Sequence, residues 1–167
     1  MVEMELTAVR VDLQSNTPVV LLQEMGGSRR TLPIFIGAPE ATAIAYAMQN
    51  VVVQRPLTHD LIRDILLDLS VRVDAVVITE LLDSTFYAEI RMTASGRTHV
   101  VSSRPSDGIA LAARLGTPIY VEDALLDAEG VVIPAEDTEE AAEEPENADE
   151  IVDEFRTFIE SVRPEDF

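Results

Sequence analysis

The sequence contains no cysteine and no lysine, and each absence excludes a class of chemistry. Without cysteine there is no disulfide, no thiolate metal site and no cysteine nucleophile. Without lysine there is neither a Schiff-base lysine nor the phosphate-binding lysine of a Walker-type loop. All 12 basic residues are therefore arginine, whose planar guanidinium suits a phosphate group.

Long apolar runs are missing as well. No basic region followed by an apolar run lies near the N-terminus, so we expect no signal peptide. No apolar stretch approaches the ~20 residues that a membrane-spanning helix needs. These absences predict a cytoplasmic protein.

Charge is distributed unevenly along the 167 residues. The net charge is −19, of which residues 1–122 carry −4 and residues 123–167 carry −15. The part of the chain with a core-forming pattern is therefore only mildly acidic, and the C-terminal part dominates the isoelectric point.

The hydrophobic pattern predicts three strands, two helices, three strands, a helix and a short strand. This order is typical of an α+β fold with a mixed sheet packed against helices. In the first strand, residues 4–13, the apolar alternation slips by one position, which indicates a β-bulge or a strand with two apolar faces. Pro33 lacks an N–H donor and favours an edge position or irregular pairing in the third strand. Residues 125–132 are expected to add a turn and a strand-like segment.

The second predicted helix has an apolar face and an acidic face. The apolar face, which we expect in the core, consists of Leu61, Ile62, Ile65, Leu66 and Leu69. The acidic face repeats a carboxylate every four residues, at Asp60, Asp64 and Asp68.

Composition changes abruptly near the C-terminus. Residues 134–148 consist mainly of Glu, Ala, Pro, Asp and Asn, which predicts a disordered acidic linker. Residues 149–167 predict an amphipathic helix that docks on its own domain, on a neighbouring subunit or on a partner protein. The acidic residues could mimic nucleic acid and cover an arginine-bearing surface, or simply keep the chain soluble.

Two helix starts, Arg55-Pro56 and Arg104-Pro105, place a guanidinium beside unpaired backbone N–H groups. If the two starts converge, they would bind a phosphodiester. Alternatively, each arginine bonds a nearby carboxylate, such as Asp107. Glu40, Asp83 and Asp107 all lie at predicted element ends or turns, where functional groups often collect, although each could be a cap or turn residue.

His59 stands beside Asp60 and one turn from Asp64 at the start of the second helix. A histidine with carboxylates could hold Mg²⁺ or Mn²⁺, or activate water for phosphodiester hydrolysis. The simpler interpretation is a solvated helix face whose acidic residues complement the helix dipole.

Several ordered blocks resemble the bifunctional nuclease (BFN) domain family over residues 4–133. The blocks are Leu32-Pro-Ile-Phe-Ile-Gly37 with Glu40-Ala41, Arg55-Pro-Leu-Thr-His-Asp60, Asp83-Ser-Thr-Phe-Tyr-Ala88, Arg104-Pro-Ser-Asp-Gly-Ile-Ala-Leu-Ala112 and Pro118-Ile-Tyr-Val121. The residues near the C-terminus resemble those of actinobacterial members. The chain departs from the usual pattern at Ser102, which is commonly acidic, and at Gly108, which is commonly alanine.

The resemblance implies an α+β domain at residues 1–133 that self-associates into a homo-oligomer and hydrolyses RNA and DNA. The predicted site follows from the blocks and their chemistry. Catalytic roles are assigned to His59, Asp60 and Asp107, phosphate binding to Arg55, Arg104 and Ser106, and a metal role to Asp60 and Asp64. The competing hypothesis is a non-catalytic oligomeric regulatory or scaffold protein that uses the same arginines to hold subunits together.

Overall fold

The computed structural model describes residues 1–132, which form seven strands and four helices. The strands are β1 (Val2–Asp12), β2 (Thr17–Glu24), β3 (Thr31–Phe35), β4 (Arg72–Leu82), β5 (Thr85–Ala94), β6 (Arg97–Ser103) and β7 (Ile119–Val121). The helices are α1 (Ala38–Met48), α2 (Thr58–Asp68), α3 (Pro105–Leu115) and α4 (Asp123–Glu129). The predicted α+β class with a mixed sheet is confirmed. The linker and helix predicted at 134–148 and 149–167 lie outside the described residues.

All seven strands belong to one sheet with the order β3-β2-β1-β7-β4-β5-β6. Every neighbouring pair is antiparallel except β4 and β7, which run parallel. Short turns join the antiparallel neighbours that follow one another in the chain, whereas the chain returns from the β6 edge to β7 in the middle of the sheet through α3. β7 therefore connects the half of the sheet formed by β1–β3 to the half formed by β4–β6.

Two local predictions for the strands are confirmed. The pairing of β1 with β2 shifts register between Leu6 and Ala8, so the slip in the apolar pattern reflects a bulge. Pro33 lies in β3, which is an edge strand of the sheet. Proline has no N–H to donate to a neighbouring strand, and an edge strand tolerates this because one of its sides has no neighbouring strand.

The hydrophobic core lies between the sheet and the two helices α1 and α3, which also contact each other. Alternate residues of the central strands point toward these helices because side chains of a strand alternate between its faces. The fully buried aliphatic side chains include Val20, Leu22, Leu32, Ile44, Val76, Ile78, Ile109 and Leu126. This packing fixes where the first turn of each helix ends up relative to the sheet.

α3 approaches β4 closely at Gly108. A Cβ atom added at this position would lie 2.7 Å from Cγ1 of Val76, a side chain that is itself fully buried. A real Cβ does not come that near another carbon, so alanine would require α3 or Val76 to move. Glycine thus permits the close contact between helix and sheet despite its poor helix propensity.

We expect Gly108→Ala to lower the free energy of unfolding by about 1–3 kcal/mol, because the added methyl overpacks the core. This sign is opposite to the gain of ~1 kcal/mol that alanine gives in an open helix. Urea unfolding of the purified protein measures the change. In a Val76→Ala background the penalty should shrink, and a stabilised Gly108→Ala protein would contradict the packing argument.

The prediction that the apolar face of α2 lies in the core is wrong. Leu61, Ile62, Ile65 and Leu69 are between 40% and 66% exposed, and only Leu66 of the predicted set is partly buried. The side of α2 that packs on the domain is polar instead, because a histidine and an ion pair hold it there.

The strand-like segment predicted for residues 125–132 is mostly helical, since α4 occupies Asp123–Glu129. Leu125 and Leu126 are both buried, whereas neighbouring residues of a strand point to opposite faces. Only Val131 pairs in the manner of a strand, through an isolated bridge to Thr31. Among residues 1–132, no helix is long and apolar enough to cross a membrane.

Candidate active site

The first turns of α1 and α3 open onto one cleft at the end of β3. The cleft has a volume of about 470 Å³, and the turn between β4 and β5 closes another side of it. Phe35 and Phe86 give it apolar walls, while Glu40, Arg104 and Ser106 contribute polar groups. This combination suits a ligand with an anionic part and an apolar part.

Neither helix start in the cleft is capped by a side chain. The residue before α1 is Gly37, which has no side chain, and the residue before α3 is Arg104, whose guanidinium has no hydrogen-bond acceptor. Pro39 and Pro105 fix the first turns in helical geometry. Because the first N–H groups of a helix have no intrahelical partner and carry the positive end of its dipole, both starts attract an anion.

Arg104 connects the two helix starts through its guanidinium. It donates from Nε to Asp107 Oδ2 at 2.7 Å and from one terminal nitrogen to Asp107 Oδ1 at 3.0 Å. Its other terminal nitrogen lies 2.9 Å from Glu40 Oε1 of α1. The interpretation that Arg104 bonds a nearby carboxylate therefore describes this structure, and an incoming phosphate must compete with Glu40 or Asp107 for the arginine.

The electrostatics of this cluster favour ionised carboxylates. The hydrogen bonds from the Arg104 guanidinium hold the pKa of Asp107 below its usual range, although partial burial works in the opposite direction. Asp107 in turn raises the pKa of Arg104, so the arginine remains charged at every accessible pH. The Arg104 side chain is 66% exposed, whereas Glu40 is 17% exposed, so the guanidinium is open to solvent while one of its partners is shielded.

His59 brings α2 to the same cluster. Its Nε2 lies 3.2 Å from Asp107 Oδ1, and the residue is 9% exposed. Because an ionised carboxylate can only accept, Nε2 carries the proton and donates to Asp107. His59, Asp107 and Arg104 thus form a chain of hydrogen bonds from α2 across the start of α3, and the ion pair between Arg104 and Glu40 extends this chain to α1.

The other two predicted phosphate-binding residues differ in position. Ser106 is 6% exposed and lines the cleft within the first turn of α3. Arg55 is exposed in the loop before α2, does not line this cleft, and forms no ion pair within residues 1–132. The starts of α2 and α3 do meet, but the contact is made by His59 and Asp107 rather than by the two arginines.

Asp60 and Asp64, the predicted metal ligands, each bond an arginine. Asp60 Oδ1 accepts from Arg114 Nε at 2.6 Å, and its other oxygen accepts from the Leu57 backbone N–H at 3.0 Å. Asp64 Oδ1 accepts from Arg63 at 2.7 Å. Residues 1–132 contain no group of three or more His, Cys, Asp or Glu side chains that could hold a metal ion. A metal role for Asp60 and Asp64 therefore stays a prediction, in which each carboxylate would have to exchange its arginine for the ion.

Burial is the strongest influence on Asp60, and it disfavours the charged form. The hydrogen bonds from Arg114 and from the Leu57 N–H outweigh it, so the pKa of Asp60 lies below its usual range. The Arg114 side chain is only 4% exposed. The ion pair between Asp60 and Arg114 attaches α2 to α3, and neither residue lines the cleft. In this structure Asp60 therefore stabilises the packing of α2.

The sequence pattern of the Bifunctional nuclease domain family matches residues 20–134, more than half of the chain. The chain belongs to this family. The match includes the starts of both helices at the cleft, together with α2 and His59.

Relatives of this bifunctional nuclease domain occur in bacteria and plants. An uncharacterized protein of Mycobacterium tuberculosis is 45% identical over 165 residues, which cover 99% of this chain and 97% of that protein. Bifunctional nuclease 2 of Oryza sativa subsp. japonica and Bifunctional nuclease 1 of Arabidopsis thaliana are each 26% identical over 117 residues, 68% of this chain. The chain spans 36% of the length of these two plant proteins.

Glu40 is the residue of this bifunctional nuclease domain that the predicted site left out. It lies in the first turn of α1 and reaches Arg104, which is 64 positions away in the sequence. Glu40 and Asp107 hold equivalent positions, since each is the third residue of its helix. The sequence could have revealed Glu40 through this shared position at a helix start. Asp83, the third acidic residue predicted at an element end or turn, stands in the β4–β5 turn and does not line the cleft.

The lowered pKa of Asp107 predicts a loss of stability in acid. A depressed folded-state pKa contributes stability above the unfolded value near 3.8, and this contribution disappears as the pH falls through the lower folded-state value. We therefore expect wild type and Asp107→Asn to differ most in unfolding free energy at pH values well above 3.8 and to converge as the pH falls through the lowered folded-state pKa of Asp107. Urea titrations across this range measure the difference, and a gap independent of pH would contradict the ionised pair.

Proposed function

We propose that this chain is a nuclease that hydrolyses phosphodiester bonds of RNA and DNA in the cleft between α1 and α3. Membership of the family supports a nuclease, and the two plant relatives carry the name bifunctional nuclease. The observation that favours this cleft is the meeting of two uncapped helix starts and one exposed guanidinium within it.

Phosphate binding would exchange one partner of Arg104. The terminal nitrogen that contacts Glu40 turns to a non-bridging phosphate oxygen, while Asp107 keeps its two hydrogen bonds to the same guanidinium. Backbone N–H groups at the starts of α1 and α3, with the hydroxyl of Ser106, hold the remaining oxygens. His59 fixes Asp107 and thereby the orientation of the arginine.

The exchange releases Glu40, the carboxylate that lines the cleft. Glu40 takes a proton from water, the water oxygen bonds to phosphorus, and the bond to the leaving sugar oxygen breaks. The leaving oxygen takes a proton from solvent. Arg104 and the helix starts stabilise the negative charge that develops on the phosphoryl oxygens.

In this proposal His59 and Asp107, which were assigned catalytic roles from the sequence, position Arg104. Asp60 acts through Arg114 by holding α2 in place. Assistance by Mg²⁺ or Mn²⁺ stays a prediction, and no step described above depends on it. Phosphate binding by Arg55 would require a substrate that extends beyond the cleft.

The test is cleavage of end-labelled RNA and DNA strands by the purified chain, with EDTA and with added Mg²⁺ or Mn²⁺. Glu40→Gln should lower kcat by about 10²–10⁴-fold and leave oligonucleotide binding in place. Glu80→Gln, at an exposed position of β4, is the matched control and should have no effect. Cleavage that is equal in wild type and Glu40→Gln would reject this residue as the base.

The second candidate is a non-catalytic regulatory or scaffold protein. It is favoured by the saturation of Arg104 with two carboxylates and by the exposed apolar face of α2. Absence of turnover on every strand, with a defined partner bound by the chain, would decide for it. Self-association, docking of the predicted C-terminal helix and a cytoplasmic location stay predictions under either function.

A further inference from the structure

Both phenylalanines of residues 1–132, Phe35 and Phe86, line the cleft between the starts of α1 and α3. Phe86 is partly buried and packs against the hydrophobic core, so it forms a fixed wall. Phe35 is 58% exposed. A large aromatic ring left open beside the polar groups of a cleft offers an apolar surface to a ligand that enters there.

The backbone that carries Phe35 is held firmly. Phe35 is the last residue of β3 and lies opposite Val19 of β2 in the sheet. Its two neighbours, Ile34 and Ile36, are both buried. Because the strand is already ordered, a ligand that contacts the ring does not have to order a loop in order to bind. The exposed ring is therefore a built part of the cleft.

We propose that Phe35 stacks on the base of an unpaired nucleotide whose phosphate is held by Arg104. This inference rests on the proposed nuclease function, and it assigns the part of the substrate that the phosphate contacts leave out. Every base has an aromatic face, so one phenyl ring accepts all bases. Stacking also requires no 2′-hydroxyl, and Phe35 would thus serve RNA and DNA strands alike, as a nuclease for both needs.

The size of the cleft favours a single nucleotide over a duplex. Its volume of about 470 Å³ lies in the range of pockets that hold small ligands. A base within a duplex is already paired and stacked on its neighbours, so it would reach Phe35 only after leaving the stack, which costs free energy. The bound strand is therefore unpaired at the nucleotide that enters the cleft.

The charges beside the ring favour a nucleotide over an apolar protein segment. The Arg104 guanidinium is 66% exposed, and the two uncapped helix starts attract an anion. An apolar side chain would cover Phe35 and leave these groups without an anionic partner. A nucleotide joins a flat apolar face to a phosphate, so it satisfies the ring and the guanidinium together.

Binding of two labelled strands to the Glu40→Gln protein, which should bind strands without cleaving them, tests the proposal. One probe is a short fluorescent oligothymidylate, and the other is a strand of abasic residues with the same number of phosphates. By fluorescence anisotropy, the oligothymidylate should bind roughly 10–100-fold more tightly. Adding Phe35→Ala should make the two dissociation constants equal, whereas Phe35→Tyr should keep the difference because tyrosine also stacks.

The matched control is Tyr87→Ala. Tyr87 carries an exposed ring on β5 and does not line the cleft, so its loss should leave the preference for bases unchanged. Circular dichroism should show the same fold in all variants, since Phe35 and Tyr87 are both exposed.

A preference for bases that survives Phe35→Ala would overturn the proposal, as would equal binding of both strands by the Glu40→Gln protein itself. Either result would leave the proposed nuclease standing, because both strands are still bound through their phosphates. Binding of neither strand would instead reject the nuclease together with the base contact. Tighter binding of both strands after Phe35→Ala would also overturn the proposal, since it would show that the ring holds a segment of protein over the cleft.

Discussion

Replacing Asp60 by alanine is expected to lower the free energy of unfolding by about 3–5 kcal/mol. The reason is the state of its partner. The Arg114 side chain is 4% exposed, and without Asp60 the only acceptor it would keep among residues 1–132 is the carbonyl of Ala110, at 2.9 Å. A buried guanidinium without a carboxylate loses its hydration and receives little in return.

Urea unfolding followed by circular dichroism measures this change, and α2 supplies its own control. Asp64→Ala removes a similar ion pair one turn along, but Arg63 and Asp64 are 34% and 46% exposed. An exposed pair contributes about 0–1 kcal/mol, so this variant should be nearly neutral. If Asp60→Ala unfolds the domain outright, Asp60→Ala with Arg114→Met should restore part of the stability. Equal effects of Asp60→Ala and Asp64→Ala would refute the importance of burial.

The contrast between Asp60 and Asp64 explains why the sequence-based prediction of the buried face of α2 is wrong. Periodicity shows that the helix has an apolar side and an acidic side, but not which of them packs on the domain. The inward side is decided by Arg114, which is 54 positions away from Asp60. Nothing in the local pattern indicates that contact. That α2 packs on the domain through its polar side, with its apolar side exposed, can thus be recognised only once the position of α3 is known.

Features that depend on local geometry could be predicted. A one-residue slip in the alternation of β1 marks the bulge near Ala8, because side chains of a strand alternate strictly. Pro33 indicates the edge of the sheet because it has no N–H to donate to a second neighbouring strand. The start and end of α3 are marked by Pro105 and by Gly116, which adopts the left-handed conformation. α4 was missed because two buried neighbours, Leu125 and Leu126, look alike in a strand and in a helix.

The candidate site shows the same division. Arg104 and Asp107 stand three residues apart, so their bond could be expected from the sequence. Glu40 reaches the same guanidinium only because α1 and α3 pack on one face of the sheet. Arg55 stands directly before a proline near the start of a helix, as Arg104 does, yet it lies outside the cleft. Similar sequence contexts thus lead to different positions, because the start of α2 meets α3 through His59 and Asp107 and not through Arg55.

If the chain is the nuclease proposed here, Arg104→Ala should lower kcat/KM on RNA and DNA strands by about 10²–10³-fold. The substitution removes the phosphate-binding guanidinium and leaves Glu40 and Asp107 without their counter-charge, so the cleft would repel a phosphate. Arg104→Lys should recover part of the activity, because lysine keeps the charge but not the two parallel hydrogen bonds. Arg97→Ala is the matched control, since Arg97 is exposed in β6 and forms no ion pair within residues 1–132.

Stability and assembly separate this catalytic role from a structural one. The Arg104 side chain is 66% exposed, so its loss should change the unfolding free energy by about 1 kcal/mol or less. Activity should therefore fall while the urea midpoint and the sedimentation coefficient stay near those of wild type. An Arg104→Ala protein that cleaves normally but sediments differently would instead assign the arginine to contacts between subunits, as the scaffold hypothesis requires. Normal cleavage with unchanged assembly would remove Arg104 from both roles.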